Sequence, residues 1–419
     1  MPILIKKATI LCQQSPYHLK KKDILIRNGI IEKIADRIPA DKVRVLDKKG
    51  LYVSLGWMDI FANFCDPGEE FKEDIQSGSE AAAQGGFTDV CLIPNTKPSI
   101  NQKASIDYIR NKSGIVNLHP IGCLSANLEG KNLAEMYDMR KQGAIAFSDG
   151  TKSVQSAGLL LKALQYVKAF DGVVIQIPDD LSISSHGLMH EGIQSTNLGM
   201  QGKPAIAESI MVQRDIELAK YAESKIHFTG ISTKASIELI KKAKKEGIKV
   251  TCSVSPYHLI YTDNNLVDYN THYKVNPPLR TEGDRKALIK AVEEGIIDCI
   301  ATHHMPQDWD AKNTEFEYAQ YGMIGLQTLW PMLLKINANI KLDQWINMLT
   351  NQPRSLFSMD TMNIKAGEKA CLTIFNIDES WEVSEQHLRG KSTNTPLLNE
   401  HVLGKVVGII NHQEMYFHE

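Results

Sequence analysis

No apolar run in this chain approaches the roughly 18 residues needed to span a bilayer. The N-terminus, MPILIKKATILCQ, breaks its few apolar residues with two lysines and shows no clear cleavage site, so it reads as a strand and not as a signal peptide. Neither sign of charge prevails. Over 419 residues, 47 Lys and Arg stand against 49 Asp and Glu, a net charge of -2. That leaves no global field to gather nucleic acid or an anionic membrane, and neither is expected as a partner. The basic run KKAKKEG (241–247) reads as the solvated face and end of a helix. Seven scattered cysteines, an odd number without any C-x-x-C, argue against a disulfide framework and a structural zinc site. A cytoplasmic location is the expectation. No low-complexity segment or long linker interrupts the chain.

What is present is an ordinary globular composition, 43% hydrophobic and 23% charged. Short β-rich runs fill both ends: PILIKKATIL, DILIRNGIIEKIA and KVRVLD first, then ACLTIFNI and GKVVGIINHQEMYF. Between them apolar runs alternate with helical stretches, the pattern of parallel strands joined by crossover helices. Candidate strands near YVSLGWMDI, TDVCLIP, NLHPIG, GAIAF, GVVIQI, KIHFTG, IKVTCSV and DCIAT supply the eight that a closed (β/α)8 TIM barrel requires. Ser232 or Thr233 is placed to cap a helix carrying Ile237, Ile240 and Ala243, with Gly247 ending it. Thr281 is placed to cap the next, with Leu288 and Val292 one turn apart and Gly295 beyond. The expected architecture is α/β: residues 51–355 form the barrel, and 1–50 and 356–419 join in a small β-sandwich.

The order of motifs resembles that of bacterial dihydroorotases of the amidohydrolase superfamily over nearly the whole chain. The resemblance is carried by GWMDIFANFCDPGEEFKEDIQSGSEAAAQGGFTDV, IPNTKP, GAIAFSDG, HEG, GKPAIAES, STKAS, SPYHL, YKVNPPLR and IATHHMPQ, in that order. It implies a barrel of the metal-dependent amidohydrolase type, and in active relatives a zinc site and the hydrolysis of dihydroorotate to N-carbamoyl-aspartate, or its reverse.

The resemblance also implies where ligands should be, and those places are filled otherwise. Active members end the first strand in D-x-H-x-H-x-R, whose histidines bind metal and whose arginine holds the substrate carboxylate. Here those four places hold Asp59, Phe61, Asn63 and Cys65. Phenylalanine has no lone pair to give, a neutral amide is a poor zinc ligand, and cysteine lacks the charged planar fork that grips a carboxylate. The strand-five histidine is matched by Gln176 and the strand-six histidine by Gly230. His303 stands for the strand-eight aspartate, and Gln307 for the loop histidine near the substrate. Relatives carry two adjacent aspartates in strand four, where this chain has Asp149 followed by Gly150. The flanking residues do match: Asp59, Pro67, Gly68, Ser232, Thr233, Ala301, Thr302, His304 and Pro306. A wrong register would lose these as well.

A catalytic zinc needs about three protein ligands, and only His303 and Asp149 among the inherited places have the side chains to coordinate. The expectation is no bound metal, no cofactor and no catalytic residue. Asn95 and Asn276 stand where the family hydrogen-bonds substrate, but an asparagine beside proline commonly fixes a loop, so with Cys65 and Gln307 they are read as a vestigial substrate pocket. His303 and His304 are adjacent in a strand and cannot readily share one ion. His303 reads as a polar filler at the barrel mouth, His227 and His258 as core or loop histidines, and Cys65 as an inert small residue. The polar, glycine-rich stretch around HEG reads as a contact surface.

Two functions follow from the resemblance. The first is a non-catalytic pseudoenzyme that partners an enzyme of pyrimidine biosynthesis, with aspartate carbamoyltransferase as the candidate, in a chain expected to be a homo-oligomer. The alternative is an active dihydroorotase or altered cyclic-amide amidohydrolase with a non-standard site. A pyrimidine-binding sensor is a third reading, resting on Asn95 and Asn276 alone.

Overall fold

The computed structural model describes residues 2–418. Eight parallel strands follow one another around a barrel, each capped by helices on its outer side. The first three are Trp57–Ala62, Phe87–Leu92 and Asn117–Pro120, the third resuming after Ile121 at Gly122–Cys123. Then come Phe147–Ser148, Val174–Gln176, Ile226–Phe228, Val250–Val254 and Cys299–Ile300, each paired in parallel with the last. A parallel bridge from Ala62 to His304 closes the ring, with Asn63 N donating to the His304 carbonyl at 2.9 Å. All six residues of the first strand are buried, because one side faces the barrel axis and the other the helices.

The helix caps lie where the spacing placed them. Thr233 accepts from Ser236 N and starts Lys234–Lys245, and Gly247 follows it at φ +76°. Thr281 accepts from Asp284 N and starts Glu282–Glu293, whose Leu288 and Val292 are buried. Both chain ends enter one eight-stranded sheet, joined where Tyr52–Leu55 pairs antiparallel with Cys371–Glu382. One expected strand is thereby split. YVSLGWMDI reads as a single barrel strand, but Tyr52–Leu55 belongs to the terminal sheet and Trp57–Ala62 to the barrel. Gly56 makes the passage between them; a β-carbon there would run into the Thr88 side chain. Among the described residues no helix is long and apolar enough to cross a membrane.

Candidate functional site at the barrel mouth

Asp59 sets the frame of the mouth. Its buried carboxylate accepts from Thr302 N at 2.7 Å and Thr302 Oγ1 at 2.6 Å, tying the first barrel strand to the last. Two residues on, Phe61 is fully buried and stacks on His303, with ring centroids 4.7 Å apart and planes 30° from parallel. His303 has a left-handed backbone, φ +48°, which turns its ring over Gly230. Gly230 sits at φ +69°, and a β-carbon there would lie 2.7 Å from His303 Cε1. Real β-carbons do not come that close. The imidazole therefore occupies the room that any side chain at 230 would need.

A chain of hydrogen bonds holds the imidazole there. His303 Nε2 shares one with Thr229 Oγ1 at 2.8 Å, and Ser253 Oγ donates to Thr229 Oγ1 at 2.9 Å. His227 bridges Ser253 at 3.0 Å and Thr251 at 2.9 Å through its two ring nitrogens. Burial pushes both imidazoles down, each to about 3, so both are neutral at physiological pH. His304 points the other way. Its Nδ1 accepts from Gly325 N at 3.1 Å, and its Nε2 lies 3.8 Å from Glu73 Oε2.

Most of the remaining candidates are spent on protein partners. Both oxygens of Asp149 are used by the neighbouring loop, one accepting from Leu124 N at 3.1 Å and Ser125 N at 2.8 Å, the other from the Ser125 hydroxyl. The sequence left Asp149 as a side chain able to coordinate; in the fold it holds a loop. Gly150, at φ +62°, has no room for a second aspartate, since a side chain there would run into Asn95 Oδ1. Gln176 accepts from Val154 N at 3.3 Å and donates to Asp215 at 3.2 Å. Asn63 Oδ1 accepts from Cys65 N at 2.9 Å. Asn95 donates to the Asp149 carbonyl at 3.2 Å and accepts from Thr151 N at 3.0 Å. Asn276 Oδ1 accepts from Lys203 Nζ at 2.7 Å. Gln307 donates to the Tyr321 carbonyl at 2.8 Å, while its buried Oε1 has no partner among the described residues. Burial lifts the Cys65 thiol to about 12, far from a reactive thiolate.

Six of the candidates line one cavity of about 320 Å³: Asn63, Cys65, Asn95, Asn276, His303 and Gln307. Phe61, Asp149, Gln176 and Gly230 do not reach it. Sequence reasoning missed the ion pair at its rim, Lys72 and Glu69 at 3.2 Å, although both lie in the segment that carries the family resemblance. It also missed the roof, Gln320 and Tyr321, for which the sequence offers no signal. Beside the cavity three of the quoted motifs converge. Lys203 of GKP pairs with Asp179 at 2.5 Å, and Arg280 of YKVNPPLR reaches the Ser232 hydroxyl of STKAS at 3.1 Å. Glu208 accepts from the backbone of Ser232 and Thr233 and from both hydroxyls. These charges are consumed within the protein. Among the described residues, no three His, Cys, Asp or Glu side chains come together as a metal-binding group.

Comparison with known proteins agrees with the motif order. A family model described as dihydro-orotase-like matches residues 51–236. The dihydroorotase of Ruminiclostridium cellulolyticum is 38% identical over 402 residues, covering 94% of each chain. That of Carboxydothermus hydrogenoformans is 38% identical over 426 residues, covering 99% of each. In three dimensions the chain resembles the L-hydantoinase of Arthrobacter aurescens, with a TM-score of 0.85 at 22% identity, over 99% of this chain and 95% of that one. The last comparison speaks to the fold: a TIM barrel of amidohydrolase type with a β-rich terminal part.

Proposed function

The chain belongs to the dihydroorotase family of the amidohydrolase superfamily, and from that premise we propose that it is a member without the metal chemistry, serving as a structural or regulatory partner in pyrimidine biosynthesis. One observation carries the reading. Phe61, His303 and Gly230 interlock, so protein atoms fill the space beside two of the places where relatives would carry ligands. The donors that remain do not fit a catalytic zinc, which needs about three ligands and an open position. Phe61 and Gly230 offer no atom, Asp149 and Gln176 are spent on the fold, and His303 Nε2 is engaged by Thr229. Opening or closing a cyclic imide needs an activated water and a polarised carbonyl, and among the described residues no cluster of three metal-binding side chains stands ready to supply them. Cys65 and Gln307 likewise leave a substrate carboxylate without a fork to grip it.

Elemental analysis of the chain, purified without chelators from zinc-supplemented cells, tests this. Zinc well below one per chain is the expected result. One or two tightly held ions, with turnover of dihydroorotate, would overturn the proposal.

The partner we propose is aspartate carbamoyltransferase, with the segment 182–200 as part of the contact. Ile193 on that segment is 78% exposed and offers a partner an apolar side chain to cover. Deleting the whole stretch would tear out the buried Met189 and the His190 that meets Arg280, so a point change is the cleaner probe. Ile193→Asp is expected to weaken co-purification of the two chains and leave the barrel folded. Clean separation of the unmodified proteins at micromolar concentration would sink the partnership.

A further inference from the structure

Away from the barrel mouth the chain builds a second cavity, of about 440 Å³, between outer helices and the terminal hairpin. Its floor is Trp330, 1% exposed, packed on Trp57 and Phe375 with centroids 5.2 and 4.8 Å away. One wall is Trp381, whose indole N–H donates to the Gly404 carbonyl at 2.9 Å and whose ring meets His387 edge-on. Phe417 is another wall. The 387–389 segment is pinned from below. Gln84 and Gln327 both donate to the His387 carbonyl, at 2.8 and 3.0 Å, and Gln327 accepts from Arg389 N at 2.8 Å. The walls are thus set in place before any ligand arrives.

Two cations line this cavity, and they are not equally matched. Arg389 forms no ion pair among the described residues, and its guanidinium makes one long contact, Nε to Gln84 Oε1 at 3.4 Å. Lys405 shares the lining and lies 3.4 Å from Glu379. His418 is held down to about 4 by burial and by the positive charges of Lys405, Arg389 and Lys48. Glu80 is the one acid in the lining among the described residues. Arg389, which no described carboxylate pairs, and the partly exposed rings of Trp381 and Phe417 make a poor home for a neutral hydrocarbon, which would leave the guanidinium unpaired. They also suit bare phosphate poorly, which would leave the aromatic walls wet. We propose that this cavity binds a planar aromatic anion of nucleoside monophosphate size, its ring against Trp381 and Phe417 and its phosphate on Arg389 and Lys405. The volume lies in the range of small-ligand sites, arginine presents the fork that phosphate accepts, and a flat base stacks on indole whatever its sequence of substituents.

Calorimetric titration of the full chain tests this, with uridine and adenosine monophosphates, uridine alone and inorganic phosphate alone, each to millimolar concentration. At least one nucleotide should saturate a single site, with uridine and phosphate each weaker by about tenfold or more. Arg389→Ala, at an exposed side chain, should weaken that binding by about tenfold, and Arg389→Lys should fall between. Failure of both nucleotides to saturate would overturn the proposal. So would undiminished binding to Arg389→Ala, which would place the ligand elsewhere, or phosphate alone binding as tightly as the nucleotide.

Discussion

Gly230 and His303 compete for one space, and a double-mutant cycle between them measures that competition. Gly230→Ala forces a β-carbon onto a backbone at φ +69° and to 2.7 Å from His303 Cε1. The left-handed backbone alone costs about 1–2 kcal/mol for a residue with a β-carbon. Overpacking against a ring held by Phe61 and Thr229 adds about 1–3 kcal/mol. His303→Ala removes the stacked pair and the bond to Thr229 and leaves a void, costing about 2–4 kcal/mol. In the double variant the backbone cost remains but the collision is gone. Its destabilisation should fall short of the sum of the single changes by about 1–3 kcal/mol. Urea midpoints at pH 7, with the slopes checked for constancy, supply all four corners of the cycle. Additivity within about 0.5 kcal/mol would mean that the ring does not occupy the space above Gly230, and the filled-site argument would fall with it.

Acid sensitivity should follow from the same ring. Unfolded His303 takes a proton near pH 6.5 while the native ring refuses it until about 3, so stability is complete above that window and falls as pH drops through it, by about 1.4 kcal/mol per pH unit for each such ring; His303→Asn should flatten the pH 4–6 slope by about one proton, and unchanged slopes would refute the assignment. Removing the buried amine of Lys203 strands Asp179, so Lys203→Met should cost about 3–5 kcal/mol in urea unfolding, whereas a loss below about 1 kcal/mol would mean the pair behaves as a surface bridge. With its thiol lifted to about 12, Cys65 should react with iodoacetamide at pH 8 about a thousandfold more slowly than a free cysteine, as peptide mapping after timed alkylation would show; rapid labelling of the native chain would make Cys65 a reactive group.

The barrel was legible because its signals are local and repeated. Thr233, Gly247, Thr281 and Gly295 mark helix ends by their own chemistry, and apolar runs between them have nowhere to go but a buried parallel sheet. The positions of the site were legible through motif order, which brought Asn63, Cys65, Asn95, Asn276, His303 and Gln307 to one cavity. Orientation was not. Whether Asp149 faces the cavity or the 124–125 loop depends on a backbone that meets it from 24 residues away, and no local pattern records that. The division at Gly56 was hidden for a similar reason: both halves of YVSLGWMDI are good strands, and only the pairing with Cys371–Glu382 separates them.

The pattern of what matches the family and what does not has a physical account in this fold. Asp59 closes the barrel through Thr302, and Ser232 and Thr233 satisfy the buried Glu208. Each would leave a buried polar group unpaired if changed, at a cost of about 1–3 kcal/mol. Metal ligands are different, because their lone pairs serve an ion and not the chain. Once the ion is dispensable, such side chains become liabilities, several imidazoles facing one another without a cation to satisfy them. On the proposed reading, a ring that stacks, a glycine that yields room and one imidazole wired to Thr229, Ser253 and His227 fill those places with contacts inside the protein. The substitutions are thus mutually dependent. Placing histidine at position 230 alone should damage the fold before it binds any zinc, and the same is expected of aspartate at 150, where Asn95 stands in the way. On the proposed reading, metal binding should require changing 61, 63, 230 and 303 together, and a single substitution that conferred zinc binding would show that the site is open.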